Sequence, residues 1–382
     1  MTNNASFKDQ ELLYDPLFET PPDTVIRDTP GRGFFGKAVV KKTLFILILF
    51  LFVGASIALS FSSLSKDRFR YKETEDGWML TEFNAGKTDA VLEVGPVFAR
   101  DGSTEPGKTV TAVREFALCC NEYTSLIFIG KDVLKIPDTA FYSCSSLQAV
   151  LVDEANPCFC SVDGVLYRRE NGRLTELMLY PARSDLFRAM LALGETPPAA
   201  AAQADAWLQR ASMLEEKSRN WLEAQKESYP SQKTFSLTDE ACAALLAGLR
   251  YEIEPGVVRI GEMAFAECET LFEVSIPDGV KEFASMAFFK CGELRALTLP
   301  ASAQTIGSDA FSYCAKVPEI VIPAGVQSIG HHAFYGCDGV REIRLLCSKQ
   351  EAPACGQDWL PKKRKLFLHD VPVVYGDEGR ED

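Results

Sequence analysis

Cysteine is the residue type whose spacing in this chain suggests chemistry. The 382 residues include 12 cysteines, and four of these recur at intervals of 23 residues: Cys268, Cys291, Cys314 and Cys337. A row of thiols could bind a soft metal, but zinc sites use close pairs such as Cys-x-x-Cys. The even spacing therefore predicts equivalent positions in a repeated unit, where cysteine packs as a small apolar side chain. Disulfides along the row are the alternative, although parallel side-chain vectors suit them poorly.

Outside this row, one pair of cysteines is a candidate disulfide. Cys347 and Cys355 lie close together in the sequence, beyond the last periodic cysteine. We expect this pair to form a bridge more readily than the other cysteines outside the row. His331 and His332 fall where the other copies carry mostly polar residues, which predicts an exposed turn rather than a metal site.

No constellation typical of an enzyme accompanies these residues. Carboxylates do not pair at catalytic spacing on a recognisable element, and the sequence has neither a glycine-rich phosphate loop nor a nucleophile elbow. We therefore predict no catalytic, cofactor-binding or metal-binding residue, no cofactor and no enzymatic activity. The formal net charge of −13 at pH 7 argues against nucleic acid as a partner, because binding to phosphates requires a basic surface.

The elements that must position these residues are copies of one unit. Each copy places phenylalanine directly after alanine and cysteine three residues later, followed by a short aliphatic segment. The four most regular copies contain Ala264-Phe265, Ala287-Phe288, Ala310-Phe311 and Ala333-Phe334. A fifth clear copy runs from Val133 to Val152, and two worn copies contain Ala117 with Ile127 and Ile129, and Leu237 with Ala241, Tyr251 and Ile253. A period of this length is typical of a solenoid, here of about seven coils.

Physical chemistry assigns a structure to each part of the unit. The segment Leu-x-x-Val-x-Ile alternates at period two and is rich in β-branched residues, so it predicts a short strand. Proline at Pro277, Pro300 and Pro323 ends the strand, because proline cannot donate a ladder hydrogen bond. The Ala-Phe part returns on the opposite side as a short helical or irregular turn. One coil buries too little apolar surface to fold alone, so stacked coils must share a core and form a parallel sheet.

The pattern IGxxAFxxCxxLxxVxIPxxV resembles the BspA-type leucine-rich repeat, which occurs on many bacterial surface proteins. Residues 153–182 resemble the recurrent hairpin insertion of that family, and residues 76–94 resemble the strand pair that begins its domains. The resemblance covers residues 76–182 and 234–375. It implies an α/β-type repeat solenoid in which leucine-rich repeat coils stack into a parallel sheet. It also implies adhesion to host matrix proteins or to other cells.

Residues 43–61 carry no charge over nineteen positions, which is long enough for one transmembrane helix. A buried core helix and a cleaved signal peptide are the alternatives. We favour an uncleaved anchor, because the 42 residues before the segment are too long for an ordinary signal-peptide start. Basic residues flank the segment almost equally, so its orientation rests on the resemblance, which implies a cytosolic N-terminus and an extracellular C-terminal domain.

The stretch between the two groups of repeats is rich in strong helix formers and follows Pro197-Pro198, which predicts a helical insertion. Trp207, Ala211, Leu214 and Trp221 share one face of the predicted helix. One interpretation is a tolerated insertion whose apolar stripe packs on the solenoid. The other is a partner-binding arm, in which Trp207 and Trp221 would be the contact residues.

These observations divide the chain into seven parts. They are a disordered cytosolic tail (1–42), a transmembrane helix (43–61), a juxtamembrane segment with N-terminal cap strands (62–109), repeats with a hairpin insertion (110–182), the helical insertion (183–232), further repeats (233–348), and a C-terminal cap with an acidic tail (349–382).

The predicted function is binding to protein or glycan partners at the cell surface, in the manner of an adhesin. The candidate surface is the outer face of the parallel sheet, formed by Glu273, Ser275, Ala296, Thr298, Glu319, Val321, Glu342 and Arg344. A structural or signalling component of the cell envelope, acting through the cytosolic tail and the helical insertion, is the alternative function.

Overall fold

A computed structural model of the chain describes residues 68–213, 249–361 and 371–376. The predicted cytosolic tail, the predicted transmembrane helix 43–61, and Leu214, Trp221, Leu237 and Ala241 lie outside these ranges. Within the described ranges, no helix has both the length and the apolar character needed to cross a membrane.

The described chain begins with a cap of strands that precedes the repeats. Strand β1 (Phe69–Thr74) pairs antiparallel with β2 (Gly77–Phe83). Strand β3 (Val91–Val94) begins the first repeat ladder, and β4 (Pro96–Phe98) pairs antiparallel with β5 (Thr104–Val113). Strand β2 also pairs in parallel with β5, which joins the cap to the solenoid. The segment 76–94, which the resemblance assigned to an initial strand pair, contains β2 and β3, but these two strands lie in different sheets, and the antiparallel partner of β2 is β1.

Each later coil contributes strands to two ladders that enclose a common core. The N-terminal part contains β6 (Leu126–Ile129) and β7 (Ala149–Val152). Three consecutive antiparallel strands follow, β8 (Phe159–Val162), β9 (Val165–Glu170) and β10 (Arg173–Leu179). A helix, α1 (Ser184–Ala192), follows, and residues 204–213 form a second helical segment. The C-terminal part contains β11 (Arg250–Glu252), β12 (Arg259–Ile260), β13 (Glu273–Ser275), β14 (Glu282–Phe283), β15 (Thr305–Ile306), β16 (Glu319–Ile322), β17 (Ser328–Ile329), β18 (Glu342–Leu345), β19 (Ala354–Cys355) and β20 (Val373–Tyr375).

The strands of the first ladder pair in parallel, in the groups β3-β6-β7, β11-β13 and β16-β18-β20. The second ladder is a sheet of eight strands in the order β19-β17-β15-β14-β12-β10-β9-β8, parallel from β10 to β19. Residues paired across β12, β14, β15 and β17 are 23 apart in sequence. The predicted parallel repeat solenoid is therefore confirmed.

Alternation within each short strand divides its side chains between core and surface. In β13, Val274 is buried while Glu273 and Ser275 are exposed, as a pleated strand requires. Close contact between coils also restricts the sequence. A Cβ atom on Gly307 would lie 2.6 Å from backbone atoms of Ala284 in the preceding coil, so the Ile-Gly turn of this coil needs glycine.

In the four regular C-terminal coils, the Ala-Phe segment is a turn whose phenylalanine amide donates a hydrogen bond to the segment that follows it in the stack. In the coil that contains Ala140, the segment is a 3-10 helix, Asp138–Phe141. The amide of Phe265 donates to the carbonyl of Ala287 at 2.7 Å, and the same bond recurs from Phe288 to Ala310. The phenyl rings stack nearly parallel, with centroids 4.5 Å apart for Phe265 and Phe288. Left-handed backbone conformations close the turn, at φ of 58° for Met263 and 62° for Glu267. The returning segment is therefore an irregular turn around an aromatic column.

One coil is interrupted in its middle by the helical insertion. Leu177 of β10 pairs with Ile260, and the Tyr180 amide donates to Ala264 at 2.7 Å, so Tyr180 occupies a phenylalanine position. The chain then leaves the solenoid and rejoins it at β11. The strand half of the predicted worn copy, with Tyr251 and Ile253, is confirmed. Leu237 and Ala241, its other half, lie outside the described residues. In the structure, Leu177 fills the position opposite Ile260, and Tyr180 fills the phenylalanine position of this coil.

Candidate functional site

The periodic cysteines are structural parts of the core. Three of the buried thiols donate a hydrogen bond to the carbonyl of a phenylalanine in the preceding coil, at 3.0 Å from Cys291 to Phe265, 3.2 Å from Cys314 to Phe288 and 3.1 Å from Cys337 to Phe311. The fourth, Cys268, donates to the carbonyl of Tyr180 at 3.7 Å. Burial raises the pKa of the Cys314 thiol well above its usual value. A neutral, enclosed thiol is a poor nucleophile and a poor metal ligand, so the geometry supports the packing interpretation.

The candidate bridge between Cys347 and Cys355 is not formed in the structure, where both are free thiols. Cys347 is buried, whereas Cys355 is exposed and its thiol donates to the carbonyl of Pro353 at 3.4 Å. This local hydrogen bond turns the Cys355 side chain back toward its own loop. Within the part of the chain that the structure describes, no group of three or more potential metal ligands is present. His331 and His332 are exposed, as predicted.

The predicted binding face is exposed on the C-terminal strands of the first ladder. Glu273 forms an isolated bridge with Ala296, which brings these residues together with Ser275 and Thr298. A second group lies on β16 and β18, where Glu319 pairs with Glu342 and Val321 with Arg344. We call these eight residues the open face. All are exposed except Val321 and Glu342, which are partly exposed.

The charges of the open face are largely paired with each other. Arg344 on β18 contacts one carboxylate on its own strand and one on β16. Its Nη2 atom lies 2.9 Å from Oε1 of Glu342 and 3.3 Å from Oε1 of Glu319. Hydrogen bonding to Glu342, together with the charges of both glutamates, raises the pKa of the Arg344 guanidinium. Arg250 on β11 places its Nε 3.2 Å from Glu273. Sequence reasoning missed Arg250, although it stands 23 residues before Glu273.

The same outward positions are covered in the N-terminal coils. Leu126 and Phe128 of β6 and Ala149 of β7 belong to a separate apolar cluster with α1 and the helical segment 204–213. We call these three residues the covered face. A sequence signal was available: β6 reads LIFI and β7 reads AVLV. A strand that is apolar at every position is typical of burial on both faces.

Burial corrects the assignment of Trp207 as a contact residue. Its side chain is only 1% exposed, and its ring lies 4.9 Å from that of Phe187. Ala211, the next residue of the predicted stripe, is also buried in this cluster. The stripe faces the solenoid because the apolar covered face can be removed from water only by another apolar surface. Trp221 lies outside the described residues and stays a prediction.

Comparison with known proteins agrees with the repeat. A family model described as a BspA type leucine rich repeat region matches residues 103–157 and 249–353, in six copies. No curated protein matches the sequence.

Solved structures that match the chain include three bacterial proteins. Pneumococcal vaccine antigen PcpA is 13% identical, with 81% of this chain and 94% of that chain covered and a TM-score of 0.39. A leucine rich cell surface protein from Faecalibacterium prausnitzii is 13% identical, with 80% and 98% covered and a TM-score of 0.35. A leucine-rich repeat protein from Eubacterium ventriosum is 15% identical, with 78% and 84% covered and a TM-score of 0.38. The repeats in residues 103–157 and 249–353 are therefore of the BspA-type leucine-rich repeat.

Proposed function

We propose that this protein is anchored in the membrane, displays its repeat domain on the cell surface and binds other macromolecules without catalysing a reaction. The observation that carries the proposal is the open face. This surface lies on paired strands and is exposed among the described residues, while helices cover the equivalent surface of the N-terminal coils. Binding residues are commonly displayed in this way on a rigid scaffold.

The chemistry of the open face suggests a polar partner. Its eight members are three glutamates, one arginine and four small or aliphatic residues, and none is aromatic. Such a surface suits hydrogen bonding to a protein or a glycan more than burial of a large apolar patch. The proposed anchor is residues 43–61, with the repeat domain outside the cell.

A binding assay tests the proposed partner class. The compact unit Asp67–Asp382 would be measured against a panel of extracellular matrix proteins and cell-surface glycans. A double variant, Glu319→Lys with Glu342→Lys, would be compared with the unchanged unit. Glu93→Lys combined with Glu154→Lys, at two exposed glutamates of the N-terminal part, would serve as a charge-matched control. We expect loss of binding for the double variant alone. Failure of the unchanged unit to bind any member of a broad panel would contradict adhesion.

Topology needs a separate measurement. Added protease should cleave the repeat domain on intact cells while the N-terminal tail stays protected. Protection of the repeat domain would refute display outside the cell, and with it the adhesive role.

A structural or signalling role within the envelope is the second candidate. It relied on the tail and on the helical insertion, but α1 and residues 204–213 are packed on the covered face. This packing leaves the tail as the main argument for the second candidate. Reproducible capture of an envelope protein by the tail alone would favour it over adhesion.

A further inference from the structure

A row of aromatic side chains lies outside the core, on the turns of three successive C-terminal coils. Phe289 and Tyr313 meet edge to face, with centroids 5.8 Å apart at 85°. Tyr313 and Tyr335 meet in the same way at 5.6 Å and 81°, and His332 adds a ring 5.5 Å from Tyr335. We call these four residues the turn strip. Edge-to-face packing makes the strip continuous from one coil to the next.

The repeat itself does not require these rings. The core of each coil already contains a buried phenylalanine, such as Phe288 or Phe311. The turn that holds Phe265 has Ala266 and Glu267 at the positions occupied by Phe289 and Lys290 one coil later. The three larger rings of the strip are partly exposed and His332 is exposed. Partly exposed aromatic residues that packing does not demand are frequent contact residues in protein interfaces.

The backbone beneath the turn strip is held firmly. The amide of Lys290 donates to the carbonyl of Ser312 at 2.8 Å, and the amide of Tyr313 donates to the carbonyl of Tyr335 at 2.7 Å. These bonds connect one turn to the next along the solenoid. A ligand that meets rings already held in place loses less conformational entropy when it binds.

The charges around the turn strip favour a cationic ligand. Ring nitrogens of His332 lie 4.0 Å from carboxylate oxygens of Asp309 and of Asp358. The ammonium of Lys290 lies 5.1 Å from the centroid of Phe289, so a ring of the strip already accepts a cation. The whole chain carries a formal charge of −13, which attracts basic partners over a longer range. Aromatic rings beside carboxylates bind guanidinium and ammonium groups through cation–π and ionic contacts.

We propose that the turn strip binds an extended basic segment of a partner protein. Arginine or lysine side chains of that segment lie over Tyr313 and Tyr335, and Asp309 and Asp358 provide the opposite charge. This surface is separate from the open face, so the proposal does not depend on adhesion through that face.

Fluorescence anisotropy of the full chain in detergent tests the proposal, with a labelled twelve-residue peptide of alternating arginine and glycine as the probe. We expect saturable binding that weakens at least tenfold when Tyr313→Leu and Tyr335→Leu are combined. Tyr313→Phe, which keeps the ring, should bind nearly as well as the unchanged chain. Tyr123→Leu is the matched control, because Tyr123 is an aromatic residue on a distant turn that is 39% exposed.

A second pair of variants keeps the test valid if the double leucine variant folds poorly. Asp309→Asn with Asp358→Asn leaves every ring in place, and weaker binding of the arginine peptide is expected from it as well. Three results would overturn the proposal: no binding of the peptide, equal binding by all variants, or strip-dependent binding of a neutral glycan or uncharged peptide in place of the basic one. Equal binding by all variants would indicate general attraction to an acidic protein.

Discussion

The covered face and the open face occupy the same strand positions at two ends of one repeat array. Leu126 and Phe128 of β6 pack against helices, whereas Glu273 and Ser275 of β13 face solvent. Their inward neighbours are equivalent, since Ile127 and Val274 are both buried in the solenoid core. The repeat motif therefore specifies the inward positions and leaves the outward ones variable. Each stretch of the array uses that variability either to seat another element or to expose a surface.

A new aspartate on the covered face and one on the open face, in separate variants, should give the largest difference in the free energy of unfolding. Phe128→Asp puts an unpaired carboxylate beneath the helices and removes a large apolar side chain, and we expect a loss of about 4 kcal/mol or more in the free energy of unfolding. Thr298→Asp on the open face should change it by less than about 0.5 kcal/mol. Urea denaturation of the two variants measures both values. Similar losses would mean that the two faces do not differ in burial.

Truncation of Trp207, the largest buried side chain of the helices on the covered face, should have the next largest effect on the free energy of unfolding. Trp207→Ala leaves a cavity beside Phe187, and the expected loss is about 3–5 kcal/mol. Trp207→Phe keeps most of the contact and should cost clearly less. If thermal unfolding shows the alanine variant to be as stable as the parent, Trp207 does not hold the insertion on the sheet.

A core cysteine should contribute less than Trp207, because its side chain is small. Cys291→Ala removes the thiol and its hydrogen bond to Phe265, and we expect a loss of about 1–2 kcal/mol in denaturant unfolding. The corresponding change at exposed Cys355 should have little effect. An unchanged free energy of unfolding for Cys291→Ala would show that the periodic cysteines do not stabilise the core.

Thiol labelling should separate the same two classes of cysteine without mutation. Burial raises the pKa of Cys144 to about 12 from a reference of 9.0, so its thiol stays protonated at pH 9 in the folded protein. The raised pKa contributes stability below pH 9, and this contribution is lost as the pH rises toward 12. Mass spectrometry after iodoacetamide treatment at pH 8 should find Cys120 and Cys355 alkylated and Cys144 and Cys291 unmodified. Equal alkylation of all four cysteines would contradict the burial of Cys144 and Cys291.

Breaking an ion pair of the open face should have the smallest effect on stability. Arg344→Ala removes contacts to Glu319 and Glu342 that are exposed to water, and no measurable change in the unfolding midpoint is expected. Any loss of partner binding by this variant would therefore report on recognition. A large fall in the midpoint would show that the open face is also a structural element.

Prediction succeeded where every copy had to meet the same physical requirement. Ala310, Phe311 and Cys314 are buried in the stack as the spacing indicated. It did not find the first half of the interrupted coil, because Leu177 and Tyr180 belong to a hairpin whose sequence does not follow the period. It could not decide between the two interpretations of Trp207, since an apolar stripe on a helix has the same pattern whether the chain itself or a partner covers it.

The sequence by itself determined the repeated unit, the inward residues and the stacking, because a coil of this length must share its core with neighbours and so imposes the same residues at each period. Only the tertiary structure decided which outward faces stay open. The reason is physical: exposure of a strand face depends on what else in the chain lies against it, and contacts between distant segments are not encoded in the period of either one. The helices after Tyr180 cover β6 and β7, and the described residues leave the face of β13, β16 and β18 exposed.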